Sequence, residues 1–203
     1  MEQVVPFVGL TGGMGAGKST ALAALERLGA ATISSDAVVH ELWASDRRLR
    51  EAVVERWGPE VAPDGVIDRS AVAERAFAGP EERAWLEGLL WPLVGVRVGA
   101  WLSEARADPP AGGERPRAAV VEVPLLFEAG QQQMYDATIA VVSDEQLRQD
   151  RAAARGHAAV DERAARQLSQ DEKAQLATYV VRNDGTEQDL ERELSAVLDK
   201  LGR

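Results

Sequence analysis

The chain has 203 residues, 45% of them hydrophobic and 28% charged, enough for one α/β domain with a buried core and room for a small lobe. It contains no cysteine, which excludes disulfides, thiolate metal sites and cysteine nucleophiles together. A formal charge of −10 speaks against a nucleic-acid partner, which selects a basic surface, but it leaves room for a nucleotide, whose phosphates need only a few placed donors.

No apolar run approaches the roughly 20 residues of a membrane-spanning helix, so no membrane partner is expected. The amino end, MEQVVPFVGL, lacks the basic stretch of a signal peptide, and a cytoplasmic location is the simplest expectation.

The first apolar run, Val4–Leu10, reads as a strand buried on both faces. It leads into Gly12-Gly-Met-Gly-Ala-Gly17-Lys18-Ser19, a match to G-x-x-x-x-G-K-[ST]. A chance match in a chain of this length is on the order of one in a hundred, and the strand before and helix after meet the motif's structural demand. Glycines let backbone N–H groups converge on phosphate oxygens, and the helix terminus adds partial positive charge. Lys18 then reaches the β- and γ-phosphates and the Ser19 hydroxyl serves Mg²⁺, so ATP and Mg²⁺ are expected. The helix over Lys18–Leu28 places Ala21, Leu22, Leu25 and Leu28 on one side.

A second strand, Ala31–Ser34, ends beside Asp36. A carboxylate at the carboxyl end of a strand of a doubly wound sheet can act as general base toward an attacking hydroxyl, and it can equally cap a helix starting at Ala37. His40 falls four residues on, on the same helix face. Helices follow over 38–43, 46–57, 69–77 and 81–106, with Gly79-Pro80 marking the start of the last. This stretch exceeds what a crossover requires and reads as a helical substrate lobe.

The proline- and glycine-rich segment Asp108–Arg117 returns the chain to a third strand, Ala118–Val123. Glu122 inside it is costly to bury unless paired or aimed at a metal or ligand, and a solvated strand end is the other reading. Pro124 should end the strand and make Leu125–Glu128 a rim loop with Glu128 as a surface carboxylate. The fourth strand is Thr138–Val142, followed by a capping box of Ser143 and Gln146 and a helix over 145–155. Arg148, Arg151 and Arg155 lie at i, i+3 and i+7 on it, which suits either the oxygens of a triphosphate or a solvated face balanced by Asp144, Glu145 and Asp150. Gly156-His157 reads as a lid turn. A helix over 161–170, a strand Tyr179–Val181 and a helix over 187–201 capped by Thr186 complete the chain. Strand–helix alternation of this kind predicts a five-stranded parallel sheet with helices on both faces.

Taken in order, these motifs resemble those of the dephospho-CoA kinase family from about Phe7 to Asn183. Gly9–Thr20 is similar to the family's phosphate loop nearly residue for residue. Ser34-Ser-Asp36-Ala-Val-Val-His40 occupies the place of its Asp-Ala-Asp segment, Ile67-Asp-Arg69 is similar to its Asn-Arg or Asp-Arg pair and is followed by Phe77, and Val123–Glu128 reads as its Val-Pro-Leu-Leu-Phe-Glu run. Arg151, Arg155, Arg163, Gln167 and Lys173 fit its lid and the segment after it, and Asn183 fits an asparagine that follows the last strand.

The resemblance implies a P-loop NTPase three-layer sandwich with a helical substrate lobe and a lid, and phosphorylation by ATP of the 3′-hydroxyl of dephospho-CoA. As one kinase domain, it would have its core at about 1–36, 117–145 and 174–203, the CoA lobe at about 37–110 and the lid at about 146–172. It implies Asp36 as base, with Lys18 and Arg151 stabilising the transferring group. Gly13, Met14, Gly15, Ala16, Gly17, Lys18, Ser19, Thr20, Arg155 and Asn183 would bind ATP, the last on the adenine side. Asp36, His40, Arg69, Glu122 and Leu125 would serve the acceptor, and Ser19 the metal. Four positions depart from the family's pattern: Ser34 and Thr178 stand where aspartates are common, Trp91 replaces a histidine, and Glu122 replaces an aspartate. Other P-loop kinases, of nucleoside monophosphates or shikimate, share the ATP half. A GTPase would need an Asn-Lys-x-Asp motif that Arg182-Asn-Asp-Gly185 does not supply.

Overall fold

The computed structural model describes residues 4–107, 113–154 and 167–202. The chain divides into two compact units, one of Met1–Ser34 with Leu102–Arg203 and one of Ser35–Trp101.

The first unit is built on five parallel strands, β1 (Phe7–Gly12), β2 (Ala31–Ser34), β3 (Ala119–Glu122), β4 (Ala137–Val142) and β5 (Tyr179–Arg182), in the order β2-β3-β1-β4-β5. The order places β1 at the centre, and its register against β3 runs from Phe7 opposite Ala119 to Leu10 opposite Glu122. β1 starts three residues later than the apolar run, because Pro6 has no N–H for the ladder and contributes only its carbonyl, which accepts from Ala119 at 2.8 Å. Alternation along β1 divides the two faces. Val8 and Leu10 are fully buried in one core with Ala21, Ala24 and Leu25 of α1 (Lys18–Arg27). Leu190, Leu194, Val197 and Leu198 of α8 (Glu187–Leu201) complete it. Thr11 belongs to the opposite face, where α7 (Gln170–Leu176) packs on β1 and β4. All six residues of β4 are buried, as a strand covered on both sides requires.

The second unit contains α2 (Ser35–Ser45), α3 (Arg47–Trp57), α4 (Arg69–Phe77) and most of α5 (Pro80–Arg106). Its core joins Val53, Trp57, Val61, Val72 and Ala76 to Trp43, Ile67, Trp85 and Leu89. Trp57 and Trp85 meet edge to face at 5.0 Å, and the Trp57 indole N–H donates to Glu82 at 2.6 Å. Asp46 and Asp68 cap α3 and α4, accepting from Leu49 at 2.9 Å and from Ser70 at 2.9 Å.

Local expectations fail at three helix ends. α2 begins at Ser35, so Asp36 lies in its first turn and is not its cap. Asp144, not Ser143, caps α6 (Glu145–Ala154), accepting from Gln146 at 2.9 Å, because Ser143 is held by Gln170 and Asn183. α7 was not anticipated beyond its first residue. It opens on a capping box of Ser169 and Glu172, while most of the helix expected over 161–170, with Arg163, lies outside the described residues. Thr186 caps α8 as the sequence indicates.

Candidate active site

β1 ends at Gly12 and α1 starts at Lys18, so the glycine-rich segment forms the turn between the central strand and a helix N-terminus. Gly15 and Gly17 sit at φ of 74° and 91°, the left-handed region that only glycine adopts cheaply. A Cβ on Gly15 would run into the Arg148 carbonyl, and one on Gly17 into the side-chain amide of Asn183.

In such a loop the carbonyls turn outward and need donors of their own. Lys18 Nζ donates to the carbonyls of Gly12 and Gly13 at 3.1 and 3.2 Å. Arg148 Nη1 donates to Met14 at 3.1 Å, and Asn183 Nδ2 to Ala16 at 2.9 Å. Side chains from α1, from α6 and from the residue after β5 therefore hold the carbonyls of the loop, and Ser19 is exposed in the first turn of α1.

The two described arginines of α6 have different partners. Arg148 grips Met14 and is bound by Glu145, whose carboxyl lies below the usual carboxylate range through hydrogen bonds first from Arg148 and then from Gln149. Arg151 Nη1 donates to Ser143 Oγ at 3.1 Å and to the Asn183 carbonyl at 3.0 Å. Arg155 lies outside the described residues. Asn183, 7% exposed, follows β5 and links the loop to Arg151.

Glu122 is half-buried at the end of β3, opposite Ser34 of β2, at the carboxyl edge of the sheet. Pro124 does end strand pairing, but the segment after it is a tight turn and not a rim loop: the Leu125 carbonyl accepts from Ala129 at 3.0 Å, and Leu126 and Phe127 are buried. Glu128 is likewise not a surface carboxylate. Its side chain is 12% exposed and pairs at 2.8 Å with Lys173, which is fully buried. Burial of Leu126 and Phe127 just before it draws the carboxylate inward, where it must be paired. Thr178 exchanges two 3.0 Å hydrogen bonds with Thr138, each N–H donating to the other's hydroxyl, so this departure from the family pattern has a structural use.

In the second unit, Asp36 and His40 lie four residues apart on α2, both exposed. Arg69 opens α4 directly after the Asp68 cap, and its Nη1 lies 3.0 Å from both ring nitrogens of His40. The structure thus brings His40 and Arg69 together, and separately Lys18, Arg151 and Asn183 around the loop. Sequence reasoning missed the contact of Arg148 with the loop and the burial of Glu128 and Lys173. The signal was composition: with twenty arginines and only three lysines, two of the lysines are Lys18 and Lys173, where a compact charge is used instead of a guanidinium fork.

Comparison with known proteins points to one family. Residues 6–189 match the family model described as dephospho-CoA kinase. The dephospho-CoA kinase of Geobacter metallireducens is 35% identical over 94% of this chain and 94% of its own. That of Symbiobacterium thermophilum is 37% identical over 89% and 74%. A crystal structure of a Thermus thermophilus protein superposes with a TM-score of 0.78 at 34% identity, covering 98% of both chains. The chain belongs to the dephospho-CoA kinase family.

Proposed function

We propose that this protein transfers the γ-phosphoryl group of ATP to the 3′-hydroxyl of dephospho-CoA, giving CoA and ADP in the last step of CoA biosynthesis. The observation that carries the reading is a single family match running unbroken from 6 to 189, through both the phosphate loop and the helical unit. The ribose oxygen attacks Pγ, the bond from Pγ to the β–γ bridging oxygen breaks, ADP leaves with that oxygen, and Asp36 takes the hydroxyl proton.

Gly13 to Thr20 cradle the phosphates, Lys18 meets the γ-phosphoryl charge, and Asn183 lies toward adenine. Arg151 and Arg155 complete the charge stabilisation; the Nη1 of Arg151 is held by the hydroxyl of Ser143 and the carbonyl of Asn183. His40, Arg69, Glu122 and Leu125 serve the acceptor.

Mg²⁺ fits the residues present. Ser19 is exposed at the N-terminus of α1 beside the glycine loop, and its hydroxyl is a hard oxygen donor of the kind that joins substrate phosphates in holding the ion. When bound, the ion neutralises charge on the β- and γ-oxygens. No helix among the described residues is long and apolar enough to cross a membrane.

The test is ADP release coupled to added dephospho-CoA, against nucleoside monophosphates and shikimate as competing acceptors. Wild type should turn over with dephospho-CoA alone, and Asp36→Asn should lose at least a hundredfold in kcat while still binding ATP. Equal kcat in the two proteins removes Asp36 from the mechanism, and preference for another acceptor removes the substrate assignment.

A further inference from the structure

An ammonium has three N–H donors, and Lys173 places all three without exposure to solvent. Nζ meets Glu128 Oε1 at 2.8 Å, the Pro124 carbonyl at 3.0 Å and Thr11 Oγ1 at 3.3 Å. Glu128 Oε1 also accepts from the N–H of Leu168 at 2.8 Å, and the Thr11 hydroxyl donates to Pro124 at 3.3 Å. One charge pair therefore binds the end of β1, the turn after β3 and the chain leading into α7. Thr11 is the residue before Gly12, whose carbonyl holds Lys18. Further along the same helix face, Gln170 accepts from the Ser143 N–H and donates to its carbonyl, both at 2.9 Å, with its Cγ against Gly13.

Stability alone does not account for this pair, since well-packed apolar residues of similar volume fill such a space as well or better. The geometry points to Lys173, held by Glu128, as a positioning residue: through Thr11 it fixes where β1 delivers the phosphate loop, and hence where Lys18 stands for phosphoryl transfer. It does not touch the nucleotide. The inference rests on the phosphotransfer reading of the loop and goes beyond it in assigning a role to two groups outside the nucleotide-contacting set.

The test compares wild type, Thr11→Val, Thr11→Ser and the charge-free double variant Lys173→Met/Glu128→Leu in the coupled ADP assay, with thermal unfolding measured on each. Thr11→Val keeps the shape and removes the hydroxyl, so kcat should fall about tenfold with KM for ATP changed less than threefold, since displacements near 1 Å cost up to 10² in rate. Thr11→Ser restores the hydroxyl and loses a methyl, so its unfolding midpoint should drop while kcat stays within twofold of wild type. The double variant should unfold close to wild type and keep the loss in kcat. Wild-type kcat in Thr11→Val or in the double variant, or activity that follows the unfolding midpoint across the series, overturns the proposal. If wild type ignores dephospho-CoA, the substrate reading fails, and the same comparison is then made on ATP hydrolysis without acceptor.

Discussion

Replacing Gly17 by alanine tests whether the loop is held by its surroundings as described. Gly17 lies at φ 91°, where a residue with a Cβ is strained by about 1–2 kcal/mol. The new methyl would also overlap the side-chain nitrogen of Asn183, which is 7% exposed and bound at 2.9 Å to the Ala16 carbonyl. Moving Asn183 aside breaks that bond and leaves a buried acceptor unmet, at about 1–3 kcal/mol. The two effects together come to about 2–5 kcal/mol, and a chain of this size loses about 2–4 °C per kcal/mol, so the unfolding midpoint should fall by about 4–20 °C. A double-mutant cycle separates the two. In the Asn183→Ala background the overlap is gone, so Gly17→Ala should cost only the backbone part, about 1–2 kcal/mol. Calorimetry measures the midpoints, and titration with a non-hydrolysable ATP analogue should show weaker binding in Gly17→Ala. An equal cost of Gly17→Ala in both backgrounds would refute the contact between the loop and Asn183, and an unchanged midpoint would refute the strained backbone.

Lys173→Met alone leaves Glu128 buried without its cation and should destabilise by about 3–5 kcal/mol, whereas adding Glu128→Leu should recover most of that loss in denaturant unfolding. The Glu82 carboxyl is held below the usual carboxylate range by hydrogen bonds first from Arg56 and then from Trp57. A depressed folded value means the unfolded chain takes up the proton first, so the contribution of Glu82 is present above the ordinary value of about 4.3 and lost as pH falls through the folded one. The gap in unfolding midpoint between wild type and Glu82→Gln should therefore be constant from pH 7 to pH 5 and close below pH 4. A gap that widens in acid would contradict the assignment.

The sheet was legible because strands covered on both faces need near-continuous apolar runs, and β4 and β3 have them with buried residues throughout or nearly so. The phosphate loop was legible for a different reason: glycine spacing records backbone angles, which the positive φ of Gly15 and Gly17 carry out. Caps were less so. Ser143 and Asp144 are adjacent and both able to cap α6, and the choice between them is made by Asn183 and Gln170, forty and twenty-seven residues away.

The hardest element to read was α7, and the cause is physical. A periodicity search looks for an apolar stripe, but the buried residue of Gln170–Leu176 is Lys173 itself. A lysine can take a core position only where a carboxylate and two further acceptors already converge, and these come from Glu128, Pro124 and Thr11, at separations of 45, 49 and 162 residues. No local window contains that information. What the sequence does hold is the choice of lysine in a chain whose other positive charges are nearly all arginine. A guanidinium spreads its donors in a plane, whereas three acceptors arranged around one point favour an ammonium. Residue choice against a strong compositional background is therefore the trace that this buried charge leaves in the sequence, one that a search for apolar periodicity passes over.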